Sequence, residues 1–63
     1  MSNAQRVRAW VSGYYCAVAA LLRETGTVDT NVKSLFQQGG RPELADADDQ
    51  ELFREHGLMP PNG

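Results

Sequence analysis

The sequence predicts an all-α domain: a compact unit of three helices with the first long and central. Three observations carry that prediction. Apolar residues recur at helical spacing in three separate stretches. No stretch alternates as a half-buried strand does. A glycine stands at or just past the end of each helical stretch: Gly26, Gly39-Gly40 and Gly57. With 63 residues, 41% of them apolar and 22% charged, the chain has the composition of one small globular domain, not that of a disordered tail or a membrane protein. We place the domain at residues 1–59, with a loose tail over 60–63, where Pro60-Pro61 cannot continue a helix.

The first helix is expected over about residues 4–25, started by Ser2 or Asn3 as cap and ended by Gly26. Val7, Val11, Tyr14, Val18 and Leu21 form one continuous stripe, widened by Trp10, Tyr15 and Leu22. The back of this helix should carry charge if it faced water. Instead Ser12, Gly13, Cys16, Ala19 and Ala20 line it, and no charge stands between Arg8 and Arg23. A helix apolar or small on all sides is usually covered on all sides. The expectation is therefore self-association, at least a dimer, through Gly13, Cys16, Ala17 and Ala20 with Trp10 and Tyr14 flanking. The thin core points the same way, because a chain this short folds only marginally without a disulfide, a metal or a partner.

The second helix is expected over about residues 28–38, capped by Thr27 or Asp29, with Val28, Val32, Leu35 and Phe36 on its inner face. Arg41-Pro42-Glu43-Leu44-Ala45 reads as a connector pinned to the core by Leu44. The third helix is expected over about residues 47–56. Asp46 should cap it, with Asp48 and Asp49 in its first turn, and Leu52, Phe53 and His56 should face inward. Gly57 should stop it in a Schellman ending, with Leu58 folded back on Phe53.

Few residues suggest chemistry. One cysteine and one histidine exclude an internal disulfide framework, a Cys-rich zinc site and a His pair. Cys16, among small apolar neighbours, reads as a packed structural thiol. The acidic set Asp46, Asp48, Asp49, Glu51 and Glu55 begins like a calcium loop but lacks glycine at the sixth position, and Gly57 stands where the bidentate glutamate belongs. No nucleophile–base pair is apparent. The expectation is no enzyme, no cofactor, no metal and no catalytic residue.

Net charge is −2, distributed as +2 over residues 1–40 and −4 over residues 41–63. Scattered basic residues and a negative total speak against nucleic acid as a partner. The longest uncharged run, from Ala9 to Leu22, is 14 residues, short of the roughly 20 a membrane-spanning helix needs. With no signal-peptide cleavage site and one unpaired thiol, a cytoplasmic setting is expected. The surfaces expected to meet a partner are Tyr15 among the aromatics and the acidic residues Asp46, Asp48, Asp49, Glu51 and Glu55.

In the order Tyr14-Tyr15-Cys16-Ala17-Val18, Leu22-Arg23-Glu24-x-Gly26, Val28-Asp29-Thr30, Leu35-Phe36-x-x-Gly39-Gly40, Ala45-Asp46-x-x-Asp49 and Leu52-Phe53-x-x-His56-Gly57-Leu58, the chain resembles small accessory proteins of temperate phages and prophages. That resemblance implies a compact, non-enzymatic interaction protein that binds and modulates a host or defence protein. Two other readings stay open: a binder of a small nucleotide-like ligand at a subunit interface, and a small DNA-associated regulator.

Overall fold

The computed structural model describes residues 2–61. Three helices follow in chain order, α1 (Asn3–Thr25), α2 (Thr30–Gly39) and α3 (Ala47–Glu55), with a 3-10 turn (Pro42–Leu44) between the last two. Among the described residues there is no strand. The expected all-α fold with a long first helix is the one observed.

The ends of the helices follow from local chemistry. Ser2 and Gln5 form a reciprocal capping box. The Ser2 hydroxyl accepts from the Gln5 N–H at 3.2 Å, and the Gln5 side chain accepts from the Ser2 N–H at 2.8 Å. At the other end of α1, Gly26 adopts φ 74° and returns its N–H to the Leu22 carbonyl at 2.7 Å. The Asp29 carboxylate accepts from the Val32 N–H at 2.8 Å, which makes Asp29 the cap of α2. The helix thus starts at Thr30 rather than 28, and Val28 packs half-buried against the core from outside it. α3 ends in the expected Schellman pair. Leu58 N–H bonds the Phe53 carbonyl at 2.8 Å and Gly57 N–H bonds the Arg54 carbonyl at 3.1 Å, with Gly57 at φ 78°. Beyond it Pro60 and Pro61 are exposed and non-helical; the rest of the expected tail, residues 62–63, lies outside the described residues.

The core joins all three helices: Val11, Tyr15, Val18, Ala19 and Leu22 from α1, Val32 and Phe36 from α2, Phe53 from α3 and Ala45 from the connector. Its centre is a triangle of rings. Tyr15–Phe36, Tyr15–Phe53 and Phe36–Phe53 meet edge to face with centroids 5.4, 5.9 and 4.9 Å apart, the arrangement the ring quadrupole favours. Leu44 packs partly buried against this core, as expected of the connector. The connector is also tied to α3, since the Gln50 side-chain amide donates to the carbonyls of Glu43 (3.2 Å) and Ala45 (2.7 Å).

The stripe that faces inward on α1 differs from the expected one. Val11, Tyr15, Val18, Ala19 and Leu22 are buried, whereas Val7, Trp10 and Leu21 are exposed and Tyr14 is half-buried. Adjacent pairs such as Tyr14/Tyr15 and Leu21/Leu22 satisfy the helical period equally well, and only the positions of α2 and α3 choose between them. α2 packs on the Tyr14–Tyr15 side. α3 packs on the Ser12–Arg23 side, where it also covers Ala19. The inner face is therefore rotated by about 60° toward α3, with Val11 and Val18 common to both stripes. His56, expected to face inward, is the exposed C-cap of α3.

Candidate interaction surface

Two adjacent tyrosines of α1 grip the end of α2. The Tyr14 hydroxyl donates to the Leu35 carbonyl at 2.6 Å and the Tyr15 hydroxyl to the Phe36 carbonyl at 3.1 Å. The last carbonyls of a helix lack intrahelical donors. Here the Gly40 N–H turns to Gln37 at 3.2 Å, and the Tyr15 hydroxyl takes the Phe36 carbonyl. Gly39 is what allows the approach: a Cβ there would run into the Tyr15 ring. In the sequence Gly39 reads only as a helix stop; the close approach to a ring from another helix leaves no local signal. Burial raises the Tyr15 phenol above its usual value. Tyr15 is thus a core residue at 0% exposure and not the partner contact expected of it.

The acidic set separates into structural and exposed members. Asp49 is buried and ion-paired with Arg23 at 3.2 Å, with side-chain exposures of 7% and 50%. It clips α3 to the end of α1 and is not available to a partner. Asp46 stands at the N-cap position of α3, but its side chain makes no cap bond. Its carboxylate instead accepts from the Ser12 hydroxyl at 3.0 Å, a second tie between α3 and α1. Asp48, Glu51 and Glu55 are exposed, with Glu51 3.7 Å from Arg54. In the connector the Glu43 carboxyl is held below the usual carboxylate range by its own backbone N–H and by Arg41. Among the described residues no group of three or more His, Cys, Asp or Glu side chains is placed to hold a metal ion, and no cavity is present.

What remains open is the side of α1 turned away from α2 and α3. Gly13, Cys16, Ala17 and Ala20 are exposed there, so Cys16 is not the packed thiol expected from its neighbours. Trp10 is 67% exposed, Val7 48% and Leu21 37%. Trp10 is nonetheless held in place. Its ring stacks on Tyr14 with centroids 5.8 Å apart and planes 12° from parallel, and Tyr14 meets Tyr15 edge-on at 5.6 Å. All five aromatic residues of the chain thus form one continuous network from the core to the surface, ending in the exposed indole. An aromatic anchor fixed before binding loses little side-chain entropy on binding, and Trp dominates interface energetics more than most residue types. No helix among the described residues is long and apolar enough to cross a membrane. Comparison with protein-family models, with curated proteins and with solved structures finds no match for this chain.

Proposed function

We propose that this chain is a small non-enzymatic interaction protein that works by covering the open face of α1 with another protein surface. The single observation that carries this reading is Trp10: a large apolar ring, 67% exposed, braced by Tyr14 and through it by the core. Its one aromatic contact within the fold is Tyr14, and most of the indole surface is left to solvent. A braced and solvent-exposed aromatic is what a binding surface uses. The resemblance to accessory proteins of temperate phages supplies the class of target, a host or defence protein, and the single unpaired thiol suits a reducing, cytoplasmic setting in which to meet it. Exposed Asp48, Glu51 and Glu55 on α3 would add a negative rim to whatever assembly forms.

Trp10→Lys tests the reading. The change removes the stack on Tyr14 but nothing from the buried core, so the helical circular dichroism should be kept and stability should fall by no more than about 0.5–1.5 kcal/mol. Association, whether with itself or with a protein captured from host lysate, should be lost. Unchanged association in a folded Trp10→Lys chain contradicts the proposal.

A further inference from the structure

We propose that the surface covering this face is a second copy of the chain, with the two α1 helices packed antiparallel about a two-fold axis that crosses the open face between Gly13 and Ala17. The inference rests on the reading of the α1 face as an interaction surface and names its occupant.

Along the open face, Arg6, Trp10, Gly13, Ala17, Ala20 and Glu24 succeed one another at spacings of 4, 3, 4, 3 and 4, and all six are exposed. Arg6 and Glu24 lie about five whole turns apart, so they stand on the same line of the helix surface. The spacing reads the same from either end. An antiparallel copy therefore brings Arg6 opposite Glu24, Trp10 opposite Ala20 and Gly13 opposite Ala17, each pair occurring twice, as a two-fold interface requires. Large meets small in the second pair, and two small residues meet in the third, where the helices can approach closely. A parallel copy would set Arg6 on Arg6 and Glu24 on Glu24.

Two further features fit this arrangement. A Cβ at Gly13 would have nothing within 4 Å in the single chain, so the fold has no need for a residue that weakens a helix interior. Opposite Ala17 of a second copy, its smallness is used. Arg6 and Glu24 also oppose the dipole of their own helix, a cation near the N-terminus and an anion in the last turn. Beside an antiparallel copy each lies near the end of the partner helix whose dipole favours it.

Charge reversal decides the matter. By sedimentation equilibrium the parent chain should show a concentration-dependent dimer. Arg6→Glu alone and Glu24→Arg alone should each weaken it roughly tenfold, since two ion pairs become two repulsions. The double variant, or an equimolar mixture of the two single variants, should regain most of the lost affinity, short of the part owed to the partner dipole. Neither exposed charge supports the fold, and each reversal suits its own helix dipole better, so monomer stability should hold or rise while dimerisation falls. A chain that sediments as a monomer even at millimolar concentration overturns the pairing. So does a dimer indifferent to both reversals, or one not restored by combining them. If the chain stays monomeric yet loses a lysate partner on Trp10→Lys substitution, the interaction reading survives and this inference does not.

Discussion

Tyr15 serves the fold with both its ring and its hydroxyl. Its ring is the vertex shared by two edges of the buried aromatic triangle, and its hydroxyl closes the Phe36 carbonyl at the end of α2. Tyr15→Phe keeps the ring and strands that carbonyl, so it should cost about 1–3 kcal/mol in urea unfolding at neutral pH. The same residue sets an alkaline limit. Its phenol is raised above the usual 10.0 by burial, opposed by a backbone hydrogen bond from Arg41. The folded chain therefore holds a proton that the unfolded chain gives up. The stabilisation is fully present below pH 10.0 and is lost as pH rises from there through the folded value. A Tyr15→Phe chain should show a shallower loss of stability over that range, measured as unfolding midpoint against pH. Equal slopes in the two chains would contradict the assignment. None of this was legible at the residue level in the sequence: the pattern put Tyr15 on a widened stripe and on a partner surface, because adjacent tyrosines fit a helical period equally and only contact with α2 separates them.

At the scale of elements the sequence is far more informative, since starts and stops are local chemistry. Ser2, Gly26, Gly40 and Gly57 mark ends that the structure also uses, and the Leu58–Phe53 return was visible in the spacing alone. How the elements lean on one another was not visible. Asp49 reads as a first-turn acid that suits a helix dipole; its pairing with Arg23 joins positions 26 apart in sequence, and no periodicity records that. The pair is unequal, a buried carboxylate with a half-exposed guanidinium. Arg23→Ala leaves the carboxylate buried with its partner removed and should destabilise the chain by about 1–3 kcal/mol. In an Asp49→Asn background the same change should cost less than half as much. Chemical unfolding of the four chains in a double-mutant cycle checks this, and simple additivity would show that the Arg23–Asp49 pair does not hold α3 in place.

The whole molecule is thin, 36 × 27 × 16 Å, with α2 and α3 on one side of α1 and little on the other. That shape explains why composition and periodicity pointed to an uncovered helix while misplacing which residues lie beneath its neighbours. The stretch without charge between Arg8 and Arg23 is exposed at Gly13, Cys16, Ala17 and Ala20, while Ser12 and Ala19 are satisfied within the chain by α3. What is left exposed is an aromatic and small-residue face bounded by one cation and one anion, the face proposed above to pair with a second copy. The chain contains a single tryptophan, placed on that face, so its own fluorescence reports on cover. A dilution series of the unmodified chain is the most direct measurement. Emission should lie toward the blue at high concentration and move to the red on dilution, along the same curve as the fall in mass. An indole that emits as though fully wet at every concentration would contradict the account.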